Sequence, residues 1–266
     1  MDSCATLNKF SVTIMWRAVI IVLALVLILA TRRQNTVGIV SMMKDPPNID
    51  TWLEIHRKLG VKEFWIRLED TPHLEQWLSS QPDVNVEVGK SDGTDEYTNI
   101  QNRQKRFVDD CLKKASTDWL IHIDSDEILD GLDMNFGSDV KTLVIPNKEA
   151  VYSEPGKSCF NAKRFKDCTN ESCAAYGNGK GAGRVSDDVS SYDPHRFQSK
   201  SGKEDKAKFN VLHYEGCDFD EYKKKFKGLT KGNKSDIPFQ YYKDAIDAAG
   251  DDAKLEEVYK KHRCES

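Results

Sequence analysis

Two aspartates one residue apart, Asp124 and Asp126, follow directly on the mostly apolar run Trp119–Ile123, with Ser125 between them and Glu127 after. Carboxylates this close repel one another unless a cation sits between them, and their oxygens suit hard divalent ions such as Mn²⁺ or Mg²⁺. The run before them reads as a buried strand. Alternation along a strand puts Leu120, His122, Asp124 and Asp126 on one face, so both carboxylates aim at one point. Ligands of open α/β sheets bind beyond the carboxyl ends of the strands. The chemistry expected is a metal held by acid groups at a sheet edge, serving a phosphorylated substrate. A solvated turn is the plain alternative for an isolated Asp-X-Asp; the apolar run before it favours the metal site.

The elements that must position these acids alternate. Thr36–Met42 reads as a first strand, and Lys44–Pro47 breaks it. Asn48 or Asp50 caps a helix to Leu59, which Gly60 stops. Lys62–Leu68 and Val84–Val88 read as strands, with a short helix around His73–Ser79 between them. Thr98–Ala115 is amphipathic: Ile100, Phe107, Val108, Cys111 and Leu112 recur at helical spacing, with Gln104 on the same stripe. Thr142–Pro146 and Phe209–Tyr214 read as later strands, and 219–226, 237–249 and 253–262 as closing helices. This order predicts an α/β fold with a mainly parallel central sheet flanked by helices. From Asn147 to Lys208 the pattern dissolves, which marks a functional loop region or an insertion.

The 266 residues carry 31% charged and 39% hydrophobic side chains and a net charge of -4, a globular composition that gives no sign of a nucleic-acid partner. Ala18–Ala30 holds no polar side chain. It reads as a marginal signal-anchor, with a signal peptide cleaved after Ala30 as the competitor. The expected organisation is residues 1–33 as cytosolic stub and transmembrane segment, 34–230 as the folded domain and 231–266 as a helical extension. The chain is then a single-pass type II membrane protein facing the ER or Golgi lumen, or is secreted after cleavage. Of seven cysteines, all but Cys4 follow the apolar segment, which fits disulfides in an oxidising compartment. Cys111 lies on a helix face and reads as a buried thiol. Sequons at Asn170 and Asn233 fit luminal exposure.

The order of these features resembles the nucleotide-sugar transferases of the GT-A fold, in particular the glycosyltransferase family 2-like and family 92-like group. The resemblance spans about Val37 to Phe226. It is carried by Ile39–Asp45, Trp52–His56 with Leu59–Val61, Phe64–Asp70, Arg103–Gln104, Cys111–Leu112 and, most specifically, Trp119–Glu127. Asn178–Lys180, Pro194–Phe197 and Leu212–Tyr214 look like later landmarks. The resemblance implies a single Rossmann-like GT-A domain and a hexosyltransferase-like activity. Its donor would be a UDP- or GDP-sugar, its acceptor a glycan or glycoconjugate, and its cofactor Mn²⁺ or Mg²⁺. Asp126 would ligate the metal and Asp124 support it or contact the ribose, with His195 or His213 as a further ligand. Lys44, Asp45, Asp70 and Gln104 would lie along the nucleotide, and Lys180 would meet the diphosphate.

The chemistry stands without the family. Sugar–phosphate cleavage leaves a nucleoside diphosphate with growing negative charge, which a divalent ion stabilises; Lys180 or Arg184 would share that task. An acceptor hydroxyl needs a general base in an inverting reaction. Asp187, Asp188, Glu215 and Asp218 are all candidates. His56 and His122 read as satisfied structural histidines, and Lys223–Lys225 as a solvated helix face. The Gly-rich stretch Asn178–Gly183 lacks phosphate-loop spacing and reads as a mobile loop that closes over the donor. Competing functions are a metal-dependent phosphohydrolase and a non-catalytic glycan-binding module on the same fold.

Overall fold

A computed structural model of the chain describes residues 34–91, 97–152, 160–167, 177–229, 237 and 239–263, together with Val19 and Ile21. The rest of the apolar N-terminal segment, the sequons at Asn170 and Asn233, and Cys4, Cys159, Cys168, Cys173 and Cys264 lie outside the described residues. Among the described residues no helix is long and apolar enough to cross a membrane. The chain divides into two units, Met1–Gln34 and Asn35–Ser266, and the second carries the fold described below.

The first half alternates as its sequence pattern requires. Strand β1 (Val37–Met43) leads to helix α1 (Ile49–Leu59), β2 (Glu63–Glu69), a 3₁₀ turn and α2 (Glu75–Ser79), β3 (Val84–Gly89), α3 (Tyr97–Leu112) and β4 (Trp119–His122). Asn48 stands at the N-cap of α1 without a side-chain capping bond, and Gly60 ends it at φ 101. Strands β1 to β4 are parallel neighbours in the order β4-β1-β2-β3. Their apolar runs bury both faces, as a covered parallel sheet demands. Trp119 and Ile121 pack toward Trp52 and Leu53 of α1, whereas Leu120 packs with Phe107, Val108 and Cys111 of α3. Cys111 is a buried free thiol.

The region expected to be a loop, Asn147 to Lys208, instead holds most of the second half's strands. After β5 (Glu127–Leu129) and β6 (Val140–Ile145) come β7 (Asn147–Val151), β8 (Arg164–Asp167), β9 (Lys180–Arg184), β10 (Val189–Asp193), β11 (Arg196–Ser199), β12 (Lys203–Lys206) and β13 (Val211–His213). The central sheet has seven strands, β12-β6-β9-β4-β1-β2-β3, in which β9 alone is antiparallel to its neighbours β4 and β6. The Gly-rich stretch is therefore a central buried strand and not a mobile loop. Its glycines serve close approach: a Cβ on Gly183 would stand 2.4 Å from Phe197, which lies across it from the β10–β11 hairpin. A second sheet, β5-β13-β7-β8, lies next to the acidic turn. Helices α4 (Phe219–Leu229), α5 (Gln240–Ala248) and α6 (Asp252–Arg263) build a separate aromatic core of Tyr222, Phe226, Tyr241 and Tyr259.

Candidate functional site

The two aspartates do not stand on a strand. Strand β4 ends at His122, and the chain turns through Asp124–Asp126 into β5. Strand alternation therefore does not aim the carboxylates; a tight turn does. The Glu127 N–H donates to the Asp124 carbonyl at 3.2 Å, and the Glu127 carboxylate accepts the Asp124 N–H at 2.6 Å. Helix α1 clamps the far side of this turn. Trp52 Nε1 donates to the Glu127 carbonyl at 2.7 Å, and the Leu129 N–H donates to His56 Nε2 at 3.2 Å. His56 Nδ1 donates in turn to the Trp52 carbonyl at 2.9 Å. The neutral ring alone makes both bonds, and burial lowers its pKa to about 4. His56 and His122 are thus structural; His122 Nδ1 donates to the Pro194 carbonyl at 2.6 Å.

Asp124 is braced from beneath. Lys180 Nζ lies 2.5 Å from its carboxylate and 3.4 Å from that of Glu127, and Gln104 Nε2 donates to it at 3.0 Å. Lys180 is fully buried at the start of β9. Burial opposes its charge, but Asp124 and Glu127 hold it protonated. Its ammonium balances two carboxylates, and Lys180 is not among the residues that line the cavity described below. Burial raises the Glu127 pKa, and the nearby Asp124 charge adds to that.

Asp126 faces His213, whose Nε2 lies 3.7 Å from it. His213 Nδ1 meets the buried Glu149 carboxylate at 2.8 Å. Burial opposes a charge on this ring, but Glu149 and Asp126 together raise its pKa well above the ordinary value. A histidine oriented by a carboxylate through Nδ1, with Nε2 turned to a second carboxylate, is how proteins prepare a metal-binding imidazole. Asp126 and His213 form an ion pair in this structure, and a divalent ion could take the place between them only as His213 gives up its Nε2 proton. Among the described residues no group of three His, Cys, Asp or Glu side chains is arranged to hold a metal by itself.

These residues form one wall of a cavity of about 540 Å³, a volume suited to a small ligand. Lys44, Asp45, Gln104, Asp124 and Asp126 line it, as do His195 and His213. His195 is neutral: burial first, then the Lys180 charge, lowers its pKa to about 3. Its Nδ1 donates to the Gly179 carbonyl at 2.9 Å. Asp70 stands behind Lys44, 3.2 Å from its ammonium, and does not line the cavity.

None of the four expected bases lines the cavity. Strand β9 runs antiparallel to β4, so its end and the following turn with Asp187 and Asp188 fall at the opposite end of the sheet. Asp188 there accepts from Ser186, Ser199 and Ser201. Arg184 stacks on Trp119 at that same end. Asp218 caps α4, accepting the Asp220 N–H at 2.7 Å. Glu215 is fully buried behind the wall, held by Lys225 and the Tyr242 hydroxyl. What the sequence reading missed is the opposite wall, where α4 supplies Glu221, Lys224 and Lys225. Lys224 pairs with Asp45 at 3.0 Å. The signal was available: Tyr222 and Phe226 lie one turn apart and mark the buried stripe, which puts Lys225 on its border.

No family model matches the chain. It is similar to the glycosyltransferase-like protein At3g57200 of Arabidopsis thaliana, 23% identical over 61% of this chain and 43% of that protein. The chain thus spans less than half the length of that relative. Among solved structures it is similar to HddC from Yersinia pseudotuberculosis, at a TM-score of 0.38 and 13% identity, over 71% of this chain and 99% of that one. A CMP:2-keto-3-deoxy-manno-octonic acid synthetase complexed with CTP gives a TM-score of 0.31 at 15% identity, covering 56% and 74%. At these TM-scores neither structure bears on function.

Proposed function

We propose that the chain is a metal-dependent transferase that moves a sugar from a UDP- or GDP-sugar to a glycan or glycoconjugate acceptor. The observation that carries this reading is one cavity lined both by Asp124, Asp126 and His213 and by Lys224 and Lys225 of α4. A nucleoside diphosphate suits both, one through a shared divalent ion and the other through direct charge. The similarity to a glycosyltransferase-like protein supports the same class. Asp126 and His213 would hold Mn²⁺ or Mg²⁺, which stabilises the departing diphosphate as a Lewis acid. Gln104 and Lys180 fix the Asp124 carboxylate, and Lys44 and Asp45, which line the cavity at the β1 end, would meet the nucleotide.

The test incubates the protein with a panel of UDP- and GDP-sugars and Mn²⁺ while nucleoside diphosphate release is followed. Release that stops on chelation and in Asp126→Ala is expected; no release from any donor would sink the proposal. We also read the chain as facing an oxidising lumen from a signal-anchor at Ala18–Ala30. Cys217 is disulfide-bonded, which supports that compartment. Loss of protease protection in sealed microsomes would overturn the topology.

A further inference from the structure

Glu221 is the carboxylate of the cavity that no part of the donor reading uses. It stands in the first turn of α4 and lines the cavity half-buried. The other carboxylates on the cavity lining are each engaged: Asp124 by Lys180 and Gln104, Asp126 by His213, Asp45 by Lys224. The Glu221 carboxylate has no hydrogen-bond or ion-pair partner among the described residues. A glutamate normally pairs with a lysine four residues on. Lys225 holds that position, but Glu215 and the Tyr242 hydroxyl take its ammonium. The buried Glu215 thereby keeps Lys225 away from Glu221. A carboxylate left free in a cavity can accept a hydrogen bond from a bound hydroxyl.

We propose that Glu221 is the general base that activates the acceptor hydroxyl, and that the transfer inverts the anomeric carbon. The inference rests on the donor reading above. Glu221 and Lys225 project from successive turns of α4, about 6 Å apart along its axis. In an inverting displacement the entering oxygen and the leaving group occupy opposite sides of the sugar carbon. A base one turn from the diphosphate-facing lysines matches that separation. In the step, the acceptor O–H proton passes to the Glu221 carboxylate and the acceptor oxygen bonds to the anomeric carbon. The bond from that carbon to the diphosphate oxygen breaks, and its electron pair leaves with the nucleoside diphosphate, facing Lys224 and Lys225.

The experiment uses the full chain with Mn²⁺, the donor panel, and both water and p-nitrophenyl glycosides as acceptors. Wild type, Glu221→Gln and Glu221→Asp are compared. The expected Glu221→Gln effect is a fall in kcat of about 10²–10⁴-fold, typical of a lost general base. Its affinity for UDP or GDP by calorimetry stays within about threefold of wild type, because the donor half of the site is intact. Glu221→Asp recovers part of the rate, and proton NMR of the first product shows the inverted anomer. A retained anomer overturns the proposal, as does a Glu221→Gln rate within about threefold of wild type, or a loss confined to nucleotide affinity. Those failures leave wild-type donor cleavage standing. Absence of donor cleavage by the wild type sinks the donor reading itself, and this inference with it.

Discussion

At the scale of single residues the site separates groups that face the cavity from groups that hold others in place. Lys224 and Lys225 line it, Lys224 paired with Asp45 and Lys225 with the buried Glu215. A hydrogen bond to a charged group contributes about 1.5–3 kcal/mol. Lys225→Ala is therefore expected to weaken UDP or GDP binding in the presence of Mn²⁺ by about 10–100-fold, measured by calorimetry, with a smaller effect for the more exposed Lys224. Unchanged affinity in a double Lys224→Ala, Lys225→Ala variant would remove the two lysines from the proposed donor site. Lys180 belongs to the other class. It is fully buried against Asp124 and Glu127, so Lys180→Met leaves two carboxylates without their cation. Breaking such a pair costs about 3–5 kcal/mol. The expected outcome is a large drop in urea midpoint; a variant of wild-type stability would mean that Lys180 has no structural role.

At the scale of elements, α1 and α3 decide where the acids stand. Helix α3 is pinned to the end of β2 by Arg103, whose Nε and one terminal nitrogen each lie 2.8 Å from the buried Glu69 carboxylate. That bond sets the height of Gln104, the next residue, against Asp124. Helix α1 is joined to β5 through His56, which gives a pH prediction. The folded pKa is about 4 and the unfolded value near 6.5, so between them the unfolded chain binds the extra proton. Stability from this residue is complete above about pH 6.5 and falls as pH drops toward 4, by up to roughly 3 kcal/mol. Urea midpoints from pH 7 to 5 are expected to decline less in His56→Gln than in wild type, and parallel declines would contradict the linkage. These elements were legible because their burial is written as pattern. The apolar runs of β1 and β4 mark strands covered on both faces, and the spacing of Phe107, Val108 and Cys111 marks α3. The strands after Asn147 were illegible for the opposite reason. All four residues of β12, Lys203–Lys206, are exposed, and β9 owes its burial to small residues under a hairpin, so pairing and not hydrophobic period makes them strands. The acid pair was found for its chemistry, but its geometry was misjudged because nothing in Asp124–Asp126 announces that β4 stops at His122.

At the scale of the whole folded unit, the cavity lies where two cores meet. The sheet core carries the acidic wall through the ends of β1, β4 and β13, and the aromatic core of α4–α6 carries the lysine wall. Lys224 already reaches Asp45 across the cavity at 3.0 Å, and a ligand that binds both walls would add to that tie between the two cores. Ligand that binds only the folded state stabilises it by about 2.7 kcal/mol at a hundred times its dissociation constant. For a unit of this size that is a rise in Tm of about 5–10 °C. Mn²⁺ and UDP or GDP together are expected to produce it in wild type, while the nucleotide with a chelator produces much less. The shift should vanish in a double Asp124→Asn, Asp126→Asn variant and, independently, in a double Lys224→Ala, Lys225→Ala variant, because each removes one wall. If the aspartate variant kept the full shift, the ligand would be bound by the helical core alone, and the cavity would not be the bridge between the two cores that its lining describes.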